Sequence, residues 1–215
     1  MSAAFGGNNN YEPAVAVATL TIDRAVLTVT ANDVTRVLNA PNPAFTAMYS
    51  GFRSGEGPQV LTAPVLFETA AASTSPVGTY PVTPRGATAA NYSITFVPGT
   101  LTVTNNGCML FDATRPVKSG STVPIKLALC DAAGLNVSAP STVVSSQGLT
   151  LVSTGADGPV QDAGHANPDA NFRYDAGLEG YIFNLQTKAL AAGTYRSNVR
   201  ASGDPVGHAV QVSVR

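Results

Sequence analysis

The sequence has no tryptophan, only two cysteines and two histidines, and charge on just 12% of its 215 residues. Each shortage removes a class of function. Lysine and arginine number 12 against 13 acidic residues and form no run, so no basic stripe exists to neutralise phosphates, and nucleic acid is excluded as a partner. No apolar stretch approaches the roughly 20 residues of a membrane helix, so no membrane insertion is expected. His165 and His208 stand far apart and neither neighbours a cysteine. A Ser-His-Asp set needs a base oriented by a carboxylate and facing an activated hydroxyl, and no Gly-x-Ser-x-Gly elbow is present. Ser119-Gly120-Ser121 reads as a turn whose hydroxyls bond local backbone. The chain is therefore read as non-enzymatic and without a cofactor. His208 reads as a partly exposed residue of the last strand. Aromatic residues make up 7%, too few for the flat platforms that sugars stack on. Tyr49, Tyr80, Tyr92 and Tyr195 fall near strand starts and read as half-buried corner residues whose hydroxyls bond backbone. Met1 to Phe5 show neither a basic nor an apolar signal-peptide region, so no export signal is expected there.

Apolar residues are plentiful at 44%, enough for true cores. They alternate with Thr, Ser and other small residues. Leu20 and Ile22 alternate with Thr19 and Thr21, Leu27 and Val29 with Thr28 and Thr30, and Leu101 and Val103 with Thr100, Thr102 and Thr104. Ile125, Leu127 and Leu129 follow the same rule, as do Tyr181, Phe183 and Leu185, and Val210, Val212 and Val214. Period two marks half-buried strands. No window shows a clear helical period. The best helical candidate is one turn near Gly57–Leu61, with Pro58 as its first residue.

An internal echo divides the chain. Asn10-Tyr11 leads after about nine residues to Leu20-Thr21-Ile22, and Asn91-Tyr92 leads at the same spacing to Leu101-Thr102-Val103. Gly78-Thr79-Tyr80 and Gly193-Thr194-Tyr195 each open a strand. Module endings thus fall near residues 22, 104 and 214. The expected organisation is a terminal hairpin of a truncated repeat over 1–24, a module over 26–104, and a second over 108–215. The linkers Asp23-Arg24 and Asn105-Asn106-Gly107 read as short turns. The expected class is all-β: tandem small modules, the first β-grasp-like or a sandwich, the second an Ig-like β-sandwich.

Several stretches carry family resemblances. Phe5-Gly6-Gly7-Asn8-Asn9-Asn10-Tyr11 followed by Ala14–Ile22 is similar to the last two strands of bacterial Ig-like repeats. Residues 26–104 resemble an MBG-type repeat through Leu27–Ala31, Asn42-Pro43-Ala44-Phe45 with Tyr49-Ser50-Gly51-Phe52, Pro76–Tyr80, Asn91-Tyr92 and Gly99–Val103. Leu38-Asn39 stands where that family often has Tyr-Gly. Residues 108–215 resemble the domain named for its Pro-x-Lys-Phe strand. Here it reads Pro124-Ile125-Lys126-Leu127, supported by Pro116–Thr122, Asn167-Pro168-Asp169, Phe172–Asp175 and Gly180–Leu185. These resemblances imply tandem repeats of secreted or surface-attached bacterial proteins, with no catalytic residues. They imply a non-catalytic structural or spacer region of an adhesin-like protein, located extracellularly or on the cell surface, whose partners are neighbouring repeats of the same polypeptide.

Two local features carry their own expectations. The loop from Asp157 to Glu179 gathers oxygen-bearing side chains: Asp157, Asp162, Asn167, Asp169, Asn171, Asp175 and Glu179. Calcium takes six to eight such oxygens, so Asp157, Asp162, Asp169 and Asp175 are candidate metal ligands. The spacing is not an EF-hand, because counting from Asn167 puts Phe172 where glycine is required and Leu178 where the bidentate glutamate belongs. The competing reading is a solvated loop whose Asx side chains cap turns. The rival function is a binding module that recognises a glycan or host surface protein through residues 155–180, with calcium in support. Cys108 and Cys130 are the only cysteines, one opening a strand and one ending the Ile125–Leu129 strand. An exported β domain favours a disulfide between them, with Cys130 in the phase opposite the core; a cytosolic chain would leave two free thiols.

Overall fold

The computed structural model describes residues 2–113, 115–152, 167, 169 and 171–215, together with the backbone of 157–158. The chain is all-β. A 3-10 turn spans Pro58–Val60, and proline opens it as its fixed φ favours.

The N-terminal hairpin pairs β1 (Ser2–Phe5) with β2 (Ala14–Val17) in antiparallel register. Leu20 and Ile22 lie in no strand. The local cause is the Asn8–Tyr11 turn: the Asn8 carboxamide oxygen accepts from the backbone N–H groups of Asn10 and Tyr11, which sets the register three residues beyond Tyr11. The hairpin has no core of its own, for Val15, Val17 and Ile22 are 72%, 79% and 83% exposed.

Residues 25–104 form β3 (Ala25–Ala31), β4 (Val34–Val37), β5 (Ala47–Ser50), β6 (Leu61–Ala63), β7 (Leu66–Glu68), β8 (Gly78–Arg85), β9 (Thr88–Ala89), β10 (Tyr92–Val97) and β11 (Gly99–Thr104). One sheet runs β10-β3-β5 and the other β4-β11-β8-β7, with β6 and β9 as a separate pair. No helix crosses a sheet, so this segment is a two-sheet unit and not β-grasp-like. Its organising element is a parallel pair that passes from one sheet to the other. Tyr92 to Val97 lie beside Ala25 to Thr30, and Leu101 to Thr104 beside Val34 to Val37. Both strands break together, at Asn32-Asp33 and at Pro98. Across the break the Asp33 carboxylate accepts the Thr100 N–H at 2.7 Å. A Cβ on Gly99 would sit 2.4 Å from the Ala31 carbonyl oxygen, so only glycine lets the chains pass this closely. Leu27 and Val29 fill the core of one sheet, and Leu101 and Val103 that of the other, all with no exposed surface.

Residues 106–215 form β12 (Asn106–Met109), β13 (Thr122–Cys130), β14 (Val144–Leu151), β15 (Asp157–Gly158), β16 (Asn171–Asp175), β17 (Gly180–Gln186), β18 (Gly193–Ala201) and β19 (His208–Val214). The order is β12-β13-β17-β16-β14-β18-β19, with β15 on β14. Only two residue pairs join β16 to β14, and there the ladder folds into two layers around one core. Ile125, Leu127 and Leu129 of one layer meet Val199, Val210 and Val212 of the other. The β19 edge is covered, since Val117 and Ser119 bond to Ser213 and Arg215.

The two Gly-Thr-Tyr sites are equivalent in structure. The Tyr80 hydroxyl donates to the Pro76 carbonyl at 2.8 Å and that of Tyr195 to the Ala191 carbonyl at 3.0 Å, each four residues back. Tyr92 departs from this pattern: its hydroxyl donates to Glu56 and accepts the Arg53 N–H.

Candidate functional site

The most constrained polar cluster lies where the two segments meet. Only Asn105, which is buried, separates β11 from β12, and Asn106 and Gly107 belong to β12 rather than to the expected turn. What holds it is Asp204, in the turn between β18 and β19. Its side chain has no exposed surface. One carboxylate oxygen accepts from the Thr104 hydroxyl at 2.8 Å and the Val206 N–H at 3.0 Å. The other accepts from the Asn105 N–H at 2.8 Å, the Asn105 carboxamide at 3.2 Å and His208 Nε2 at 3.1 Å. Burial alone would raise the Asp204 pKa. The N–H groups of Asn105 and Val206, then His208 and Thr104, outweigh it and hold the carboxyl below its ordinary value.

A second contact closes the other side. Asn39 has a left-handed backbone, φ 64°, a conformation that asparagine tolerates and glycine adopts freely. This is the position where the resembling family carries the glycine of Tyr-Gly. The Asn39 carboxamide donates to the Asp131 carboxylate at 2.9 Å, and the Leu38 carbonyl accepts the Ala132 N–H at 2.9 Å. Donation from Asn39 is the main reason that the Asp131 carboxyl sits below its ordinary value, helped by the N–H groups of Leu135, Ala133 and Gly134. Two carboxylates thus tie backbone and side-chain donors of one segment to the other.

Cys108 and Cys130 are joined by a disulfide, with Cα atoms 6.0 Å apart on adjacent antiparallel strands. Cys130 lies in the phase opposite Ile125, Leu127 and Leu129, outside their core cluster, as expected, and it is nonetheless buried. The Leu38–Asn39 turn bonds to Asp131 and Ala132, directly after that strand end. Of the candidate metal ligands, Asp162 and the side chain of Asp157 lie outside the described residues, as does His165. Asp169 is exposed, and Asp175 accepts the Leu178 N–H at 3.0 Å as a turn cap beside Arg173. Asn167 accepts the Asn184 N–H and donates to the Asn184 carbonyl, both at 2.8 Å. Among the described residues no group of three or more His, Cys, Asp or Glu gathers to hold a metal. Ser119 donates to the Leu190 carbonyl and Ser121 to the Lys118 carbonyl, as turn hydroxyls do.

The Asp204 cluster was not anticipated. The signal was the compact Asp204-Pro205-Val206-Gly207-His208 turn, but its partners are about a hundred residues away, beyond the reach of local pattern.

Residues 27–102 match the family model described as MBG domain (YGX type). No curated protein matches the chain. Among solved structures, domains 4 and 5 of the S-layer protein SbsC share 15% identity over 84% of this chain and 93% of that one, with a TM-score of 0.27. An I-band fragment of titin shares 9% over 91% and 66%, at 0.28. Extracellular domains 3–5 of Drosophila OTK share 12% over 95% and 64%, at 0.35. At these TM-scores the arrangements do not superpose.

Proposed function

We propose that residues 25–215 act as a rigid pair of non-catalytic structural modules, spacer repeats of a secreted or surface-attached bacterial protein. The first module is MBG-like over 26–104 and the second PxKF-like over 108–215. Residues 11–22 repeat the spacing of residues 92–103, and their apolar side chains are exposed where Leu101 and Val103 are buried; on this reading they close a preceding module. The neighbouring repeats of the same polypeptide are then the partners, and an adhesin-like parent is the setting. The disulfide supports an oxidising, extracellular location.

The observation that carries this reading is the buried junction. Flexibly tethered modules meet through wet, exchangeable contacts and an exposed linker. Here the linker is one buried residue whose backbone N–H is held by a buried carboxylate. A pair of fluorophores on exposed Ser54 and Lys188, placed through an unnatural amino acid, reads the angle between the segments. A single narrow distance distribution in the native protein, broadened by Asp204→Ala, is the expected result. A broad distribution in the native protein refutes rigidity.

A further inference from the structure

A crevice of about 470 Å³ opens between the two segments beside the buried junction. One wall is Gly78 and Thr79, at the start of β8. The other holds Ser145 of β14 with Arg200 and Ser202 at the end of β18. Ligand sites favour such clefts between packed units.

Arg200 is the unusual group. It is exposed into this space, and one of its terminal nitrogens donates to the Pro205 carbonyl at 2.7 Å. That bond holds the guanidinium against its own turn and leaves most of its five donors unused. Arg85 and Arg173 pair with Glu68 and Asp175, whereas no described carboxylate lies within ion-pair reach of Arg200. Asp204 also lines the crevice, but its side chain has no exposed surface and both its oxygens are occupied by the five donors described above, so it offers the crevice no open acceptor. Hydroxyl groups stand around the guanidinium. Thr79 has no partner among the described residues, and Ser202 accepts the Val143 N–H at 3.1 Å with its own proton unspent. Thr79 also borders a second cleft of about 280 Å³ whose surface includes Tyr80, Pro81 and Pro98.

We propose that this crevice binds an acidic saccharide. The carboxylate of a uronic-acid residue pairs with Arg200, its hydroxyls meet Thr79 and Ser202, and the next sugar lies along Pro81 and Pro98. A guanidinium satisfies the planar carboxylate in bidentate fashion. The hydroxyls of Thr79 and Ser202 suit a polyhydroxylated ligand, and the proline pair suits the apolar face of a sugar. This site is separate from the 155–180 loop and needs no calcium.

Calorimetric titration of the intact chain tests it. The probes are trigalacturonic acid, its neutral galactose counterpart, inorganic sulfate and an acidic tripeptide at equal ionic strength. Trigalacturonic acid is expected to bind and the neutral trisaccharide to bind at least about tenfold more weakly, the loss of one charged hydrogen-bonded pair. Arg200→Gln is expected to weaken trigalacturonic acid by a similar factor. Arg196→Gln, on the same exposed face of β18, is expected to leave it within about twofold, since exposed charges contribute little. Thr79→Glu places a carboxylate on the opposite wall and is expected to abolish binding with Arg200 intact. Should Arg200→Gln fail to fold, Thr79→Glu at its exposed position decides alone. No binding, equal losses from Arg196→Gln and Arg200→Gln, or equal affinity for sulfate or the tripeptide overturns the proposal.

Discussion

Replacing Asp204 tests the junction most directly. Asp204→Ala removes the acceptor of five donors at once, namely the Asn105 N–H and carboxamide, the Val206 N–H, His208 Nε2 and the Thr104 hydroxyl, of which the hydroxyl keeps a second acceptor in the Asn105 carbonyl. A buried donor left without a partner costs about 1–3 kcal/mol. The adjoining crevice admits water to part of the cavity, so the donors left without a partner are expected to cost about 3–5 kcal/mol in total rather than the full sum. Asp204→Asn retains one acceptor oxygen but opposes an amide to the Asn105 or Val206 N–H, and about 2 kcal/mol is expected. The pH dependence has a definite sign. The folded carboxyl is held below its ordinary value of 3.8. Its contribution is therefore complete above the unfolded pKa and is lost as pH falls through the folded one. Urea unfolding at pH 7 and pH 3 measures both effects. The native protein is expected to lose more stability between these pH values than Asp204→Asn does, with the remaining acid loss including that of Asp131, which shifts in the same direction. A variant within about 0.5 kcal/mol of the native protein at pH 7, the range of ordinary surface substitutions, would show that the carboxylate is not what holds the joint. An unchanged pH dependence would mean the same.

Three further outcomes follow from particular contacts. Reducing the Cys108–Cys130 bridge, which spans 22 residues, is expected to lower the unfolding free energy of residues 106–215 by about 3 kcal/mol while sparing 25–104; calorimetry that shows both segments falling together counts against independent cores. Deleting residues 1–22 is expected to leave the melting of both segments unchanged, because the hairpin is exposed throughout; a large drop in melting temperature rejects that view. Gly99→Ala is expected to cost about 2 kcal/mol or more, since its Cβ would force apart the paired strands at Ala31, and urea titration of residues 25–104 measures it.

The strands that read most clearly were those whose two faces differ. Leu27 and Val29, Leu101 and Val103, and Ile125 and Leu127 declare their buried side by alternation alone, and all are buried. Pro58 and the two Gly-Thr-Tyr sites were legible because their chemistry is local, within four residues. The register of the N-terminal hairpin was not. Alternation of Val15 with Val17 and of Leu20 with Ile22 points to strands over residues 5–22; the hairpin uses Ser2–Phe5 and Ala14–Val17, and Leu20 and Ile22 lie in no strand. The parallel partnership of 25–37 with 92–104 was also hidden, because periodicity states which face is apolar and never which distant strand will lie alongside. The junction failed to show for the same reason. Asp204 and Asn105 are ordinary turn residues until the fold brings them together.

The parallel pairing of residues 25–37 with 92–104 governs how this segment answers a pull on its ends. The chain enters at Ala25 and leaves after Thr104, at opposite ends of two strands that run the same way. Tension along the polypeptide therefore slides one strand past the other. The hydrogen bonds of both sheets are strained together instead of peeling one by one, as they would in a hairpin pulled from its open end. The second segment repeats the device on a smaller scale, with Val117 and Ser119 running parallel to Ser213–Arg215 near its two ends. A unit built this way resists a pull on its two ends without unravelling strand by strand.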